Sequence, residues 1–144
     1  MFKELIARNR VCFHPGFADW EDAVRASCQP LLADGTITEL YIDSIIKNVK
    51  ELGPYIVIAP DICIPHAQEG LGVNATAISF MKTDEPVHFS DSPEHDARLF
   101  FVLASVNNDE HMANLQAMVE AVSDPDQVAV MLNAHSPADL AELP

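Results

Sequence analysis

Six histidines stand in this 144-residue chain, and imidazole is the side chain that exchanges protons, phosphoryl groups or metal ions near neutral pH. Their surroundings differ. His66 lies in APDICIPHAQEG, residues 59–70, where Ile62, Cys63 and Ile64 form a short apolar run and Pro65 fixes the backbone just before the ring. That arrangement suits a nucleophile, which must be held, partly exposed and oriented through its second nitrogen. The competing reading is a hydrogen-bonded histidine at a strand rim, with no chemistry. His111 opens a helical pattern immediately after the apolar stretch ARLFFVLASV. In sheets flanked by helices, sites gather where strands end and helices begin, and first-turn amides welcome a dianionic phosphoryl group. The competing reading for His111 is an exposed first-turn residue.

The other four rings have plainer settings. His14 and His135 sit beside Pro15 and Ser136-Pro137 in turn-like sequence and read as structural or solvent-exposed. His88, in PVHF, alternates with apolar neighbours as the polar face of a short strand, and His95 lies in the acidic loop DSPEHDAR. A metal site would draw on His66 and His111 with Asp61, Asp109 or Glu110, but no HExxH or comparable local pair supports it. A Cys63 nucleophile is countered by its place on the apolar side of DICIP, since free cysteine is usually buried and inert. No Gly-rich phosphate cradle, GxSxG elbow or dinucleotide fingerprint occurs.

The elements that must position these residues follow from period and punctuation. DWEDAVRASCQPLLA, residues 19–33, opens on an Asp cap with an acidic first turn and reads as a helix that Pro30 should kink or shorten. TELYIDSIIKNVKEL, residues 38–52, sets Leu40, Tyr41, Ile45, Ile46, Val49 and Leu52 on one stripe and ends at Gly53-Pro54. The period then turns strand-like through YIVI, DICI, NATAISFM, PVHF and ARLFFVLASV, the last apolar throughout, as a central strand covered on both faces would be. From Asp109, a candidate cap, DEHMANLQAMVEAV directs Met112, Leu115, Met118, Val119 and Val122 to a core. Short helices are expected after Ser123-Asp124-Pro125 and Ser136-Pro137. Helices at both ends of a block of strands imply an α/β or α+β sandwich with a mixed sheet.

Bulk properties narrow the setting. The chain has the length of one domain, residues 1–144, with no repeat or linker-like tract, and is 49% hydrophobic. Eight basic against twenty-two acidic residues give a formal charge of -14, which disfavours nucleic acid and anionic membrane as partners. Three unpaired, widely spaced cysteines, Cys12, Cys28 and Cys63, suit a reducing compartment. MFKELIARNR lacks the apolar core of a signal peptide and no apolar run reaches membrane-spanning length, so a cytoplasmic protein is expected.

Taken in order, ICIPHA around His66, LLADGTITELYIDSIIKNV upstream, EPVHFSDSPEHDARLFFVLASVNNDEHM and the closing NAHSPADLAEL resemble the IIA domain of the bacterial phosphoenolpyruvate-dependent sugar phosphotransferase system, mannitol/fructose class. GPYIVIAP before the histidine is similar to the ascorbate branch, which points to ascorbate or a related acidic sugar. The resemblance implies a mixed five-stranded sheet flanked by helices. It also implies that His66 accepts a phosphoryl group from the phosphocarrier HPr and donates it to a cysteine of a cognate IIB component, that His111 steadies the group, and that the membrane IIC permease is an indirect partner. No metal or nucleotide cofactor is required. Nε2 of His66 is the expected acceptor, with the other nitrogen donating to a carbonyl, and an apolar rim near Ile64, Leu71 and Met112 is expected to receive the partners.

Two departures from that pattern bear on the site. Mannitol-type members often carry an Arg-Glu pair on the preceding helix where this chain has Asn48-Val49, so Lys47 or Lys50 would have to turn inward to supply the charge. Many relatives read Gly-Ile-Ala where this chain has Asp61-Ile62-Cys63, and the carboxylate of Asp61 is expected to face solvent or cap a turn. Two other functions compatible with the sequence are a regulatory binding module of the same fold, controlled by His66 phosphorylation, and a metal-dependent hydrolase.

Overall fold

The computed structural model describes all 144 residues. Along the chain run α1 (Phe2–Ala7), β1 (Val11–His14), α2 (Trp20–Ala33), α3 (Glu39–Leu52), β2 (Val57–Ala59), β3 (Asp61–Cys63), β4 (Ala77–His88), β5 (Asp96–Ala104), α4 (Asn108–Ala121) and α5 (Pro125–Leu132), with 3-10 turns at Pro93–His95 and Pro137–Leu140. The five strands form one mixed sheet in the order β1-β4-β5-β3-β2. β5 is antiparallel to β4 and parallel to β3; β1 joins β4 in parallel, and β2 closes the far edge antiparallel to β3. The expected α/β class, with a mixed sheet flanked by helices on both faces, is the one that forms.

Alternation along β5 explains the layering. Leu99, Phe101 and Leu103 point to one face and pack with Phe2 of α1, Met118 of α4 and Met131 of α5. Phe100, Val102 and Ala104 point to the other and pack with Val24 and Cys28 of α2 and Ile42 and Ile45 of α3. Each such large side chain removed from water contributes about 1.5–3 kcal/mol, which makes β5 the central strand its continuous apolar run implies.

Several local expectations need correction. NATAISFM and PVHF belong to one strand: the β4–β5 ladder shifts register between Lys82 and Val87, and Lys82 Nζ to Asp84 and Thr83 Oγ1 to the Glu85 carbonyl, both 2.8 Å, satisfy polar groups inside the irregularity. α1 and β1 have no counterpart in the sequence reading, and His14, read as a turn residue, ends β1, where four residues too few to show a period pair with Phe80 to Thr83 of β4. Pro30 neither shortens nor breaks α2, because it falls in the last turn, where the missing N–H affects one bond while Leu31 beside it is fully buried. The cap of α4 is Asn107, whose side chain accepts from the Glu110 N–H at 2.9 Å, so Asp109 lies inside the helix. Leu40, Leu52, Met112 and Val119, assigned to core stripes, are exposed on the outer flanks of α3 and α4. No helix is long and apolar enough to cross a membrane.

Candidate functional site

β3 delivers His66. Its three residues sit beside β5, and the chain continues past Cys63 with Ile64 buried on one face of the sheet. The Ile64 N–H donates to the Ile56 carbonyl at 2.8 Å and the Leu103 N–H of β5 donates to the Pro65 carbonyl at 3.0 Å, so backbone bonds hold the segment from both sides. Ala67 N–H donates to the Tyr41 hydroxyl at 3.1 Å, and that hydroxyl donates to the Leu103 carbonyl at 2.6 Å. Tyr41 is buried on α3, so the residue after His66 is tied through one phenol to the central strand. These ties leave little freedom at the histidine, whose side chain is half-buried.

The ring itself is oriented by its own backbone. Nδ1 of His66 lies 2.5 Å from the Ile64 carbonyl, an acceptor that can only receive a proton, so Nδ1 carries the hydrogen and Nε2 keeps its lone pair. The His111 ring stands 5.5 Å away between centroids, tilted by 44°. Burial pushes the His66 pKa below the ordinary 6.5; the bond to the Ile64 carbonyl works against that, and the nearby His111 adds to it. The result is a neutral imidazole at neutral pH with one free nitrogen, which is the state a nucleophile needs.

His111 lies in the first turn of α4, and its backbone N–H donates to the Asn107 carbonyl at 3.1 Å. Although a first-turn residue reads as exposed, this one is only 9% accessible because the ring turns back toward the end of β5, where its Nδ1 meets Ser105 Oγ at 3.3 Å. The Gly70 N–H donates to the Ser105 carbonyl at 2.9 Å, which folds the loop after His66 against the same strand end. His66, His111, Ser105 and that loop therefore share one corner of the sheet.

The remaining sequence candidates are elsewhere. His88 and His95 lie at the opposite end of β5, against Asp96 and Ser90. His14 packs against Phe17 at 5.2 Å, and His135 is exposed beside Asp84. Cys63 is fully buried and its thiol is pushed well above the ordinary range by desolvation, which removes it as a nucleophile. All three cysteines are free, and burial raises Cys12 to about 11. No group of three His, Cys, Asp or Glu side chains is arranged to hold a metal ion, so the ligand set of a hydrolase around His66 and His111 is not assembled. Asp61 adopts a left-handed backbone, φ 69°, as the first residue of β3, just after the tight turn at Pro60.

The sequence of the whole domain agrees with a single family. The family profile described as "Phosphoenolpyruvate-dependent sugar phosphotransferase system, EIIA 2" matches residues 4–143. The chain belongs to that family. EIIA domains of this family are phosphotransferases that carry phosphate on histidine. The ascorbate-specific PTS system EIIA component of Mycoplasma pneumoniae is 30% identical over 128 residues, covering 88% of this chain and 80% of the relative. The solution structure of the mannitol-specific cryptic phosphotransferase enzyme IIA of Escherichia coli superposes with a TM-score of 0.88 at 26% identity, over 99% of this chain and 96% of that one. The IIA chain in the complex of mannitol IIA with phosphorylated mannitol IIB, also from E. coli, shares the fold with a TM-score of 0.81 at 22% identity, over 93% of this chain and 92% of that one.

Within this EIIA chain two features were not foreseen. Tyr55, read as the start of strand YIVI, stands in the turn before β2; its hydroxyl donates to the His66 carbonyl and its ring meets the imidazole edge-on, 5.2 Å between centroids. Asn48 of α3 lies near the Tyr55 hydroxyl, whose pKa is raised by burial and partly lowered again by Asn48. The GPY sequence after α3 was the only signal for Tyr55. Lys47 and Lys50 stay exposed on the outer side of α3, Lys50 bonded to Glu21 at 2.6 Å. The neighbouring His111 opposes a charge on the His66 ring.

Proposed function

We propose that the chain, acting as one domain over residues 1–144, carries a phosphoryl group on Nε2 of His66 between phospho-HPr and a cysteine of a IIB component in the cytoplasm, and that the IIC permease served by that IIB takes up ascorbate or a related acidic sugar. The observation that supports this most is the held, neutral His66 ring with its free nitrogen and a second imidazole 5.5 Å away. In the first transfer the Nε2 lone pair attacks phosphorus, the N–P bond of the donor phosphohistidine breaks, and its electron pair returns to the donor ring. In the second, a IIB thiolate attacks and the Nε2–P bond breaks. The proton stays on Nδ1, donated to the Ile64 carbonyl throughout, so no proton has to move at the acceptor ring. Positioning and charge stabilisation do the rest, as in other phosphoryl transfers.

His111, whose ring stands 5.5 Å from that of His66, is the group that meets the phosphoryl oxygens. Partners dock transiently on the apolar side chains around this corner: Leu71, 59% exposed on the loop tied to Ser105, and Met112, 54% exposed next to His111. Ile64, expected on that rim, is wholly buried beneath it and belongs to the core. The ascorbate assignment draws on the Mycoplasma relative and on the GPYIVIAP segment.

Incubation with phosphoenolpyruvate, enzyme I and HPr should place one acid-labile phosphoryl group on His66. The label should then pass to an ascorbate-type IIB faster than to a mannitol-type IIB. Label arriving on His66→Ala would remove the assignment, and equal transfer to both IIB types would remove the solute class.

A further inference from the structure

The chain has two tyrosines, and both hold the backbone around His66. They hold it differently. Tyr41 is buried, bridges Ala67 and Leu103, and serves the fold as much as the site. Tyr55 is half-buried, packs on the edge of the core, and meets the histidine twice, by its hydroxyl on the His66 carbonyl and by its ring on the imidazole. Its location is set by the helix end: Gly53 takes φ 84°, a left-handed conformation that glycine adopts without strain, and the Tyr55 N–H donates back to the Gly53 carbonyl at 2.8 Å. Asn48, near the end of α3, is close enough to the phenol to offset part of the burial effect on its ionisation.

We propose that Tyr55, backed by Asn48, is a positioning residue that keeps the His66 imidazole in the orientation that presents Nε2 for phosphoryl transfer. The inference rests on the carrier reading of His66. The tautomer is set by one short contact, Nδ1 to the Ile64 carbonyl, between residues only two apart. Such a contact survives only while the intervening backbone and the ring torsion are both held. The Tyr55 hydroxyl pins the carbonyl of His66 itself, and its ring packs at 83° to the imidazole, 5.2 Å between centroids. A ring turned the other way would present a protonated nitrogen or none.

The test compares wild type, Tyr55→Phe and Asn48→Ala by the 15N shifts of the His66 ring and by the rate of acceptance from phospho-HPr, with thermal unfolding as the check on folding. Tyr55→Phe should fold, should move the His66 nitrogens from the single Nδ1–H tautomer toward averaged values, and should slow acceptance about tenfold, as expected for a lost hydrogen bond to a half-buried carbonyl. Asn48→Ala should change both readouts in the same direction by about two- to threefold in rate. A folded Tyr55→Phe with the wild-type tautomer overturns the proposal, whatever its rate. If Tyr55→Phe fails to fold, wild-type behaviour of Asn48→Ala overturns it and the paired shift supports it. Absence of label on wild-type His66 would instead defeat the carrier reading, and the ring shifts, measured without any phosphoryl donor, still decide the role of Tyr55.

Discussion

The two ends of β5 each gather a pair of histidines, and they treat them in opposite ways. At the end near Ala104, His66 and His111 face each other, half-buried and buried, with backbone and hydroxyl partners on Nδ1. At the end near Asp96, His88 and His95 sit at the surface, with Nδ1 of His88 2.7 Å from the Asp96 carboxylate and Nδ1 of His95 2.6 Å from Ser90 Oγ. A backbone carbonyl fixes a tautomer without adding a charge, so the opposite nitrogen of His66 remains a neutral donor of electrons. A carboxylate at the surface instead offers an ion pair that water screens and that contributes little. The difference shows that residue type alone does not make a site; partner type and burial do.

The largest effect expected separates the two ends outright. His66→Ala should lower phosphoryl acceptance about a thousandfold or more, since no other ring takes its place, whereas His88→Ala should stay within about twofold of wild type in the same labelling assay. Comparable losses in both would erase the contrast. His111→Ala should fold, judged by its melting curve, and slow transfer about a hundredfold by removing the imidazole 5.5 Å from the His66 ring, proposed to meet the phosphoryl oxygens. Full activity in that variant would leave His66 working alone.

Smaller effects sharpen the same contrast. Tyr41→Phe removes a buried hydroxyl that both donates to Leu103 and accepts from Ala67, and chemical denaturation should show a loss of about 1–3 kcal/mol. Proton NMR should show His66 titrating below 6.5, because burial opposes its charge. Its sign is fixed by linkage: the unfolded ring binds the proton more tightly than the folded one, so this group's contribution to stability is complete above 6.5 and is lost as the pH falls through the lower folded value. Acceptance of phosphate should therefore hold up when the pH is lowered to 6.5. Least affected of all, Asp96→Asn should change stability by under about 1 kcal/mol, the range of an exposed pair.

The reading of α3 from sequence succeeded for Tyr41, Ile45, Ile46 and Val49, which are buried, because a helix repeats its inward face every few residues. It failed at Leu40 and Leu52, as the reading of α4 failed at Met112, since an apolar residue on the flank of a stripe is indistinguishable from one at its centre until the neighbouring element is in place. β5 was legible from its unbroken apolar run; β1 was not, because four edge residues carry no period. His66 was singled out through Pro65 and the apolar residues before it. Tyr55 was missed because YIVI reads as strand, and only a turn at Gly53 takes its phenol back to the histidine.

The amino-acid sequence by itself determined what is local: amphipathic helices, alternating and continuous strands, the stop at Gly53-Pro54 and the stiff approach to His66. Tertiary structure decided that β3 lies beside β5, and with that choice it brought His66 against His111, placed Tyr55 on the imidazole and left Lys47 and Lys50 outside. The physical reason is range. Propensity and period act over a few residues, whereas the order of strands in a sheet is settled by which whole faces can be buried together.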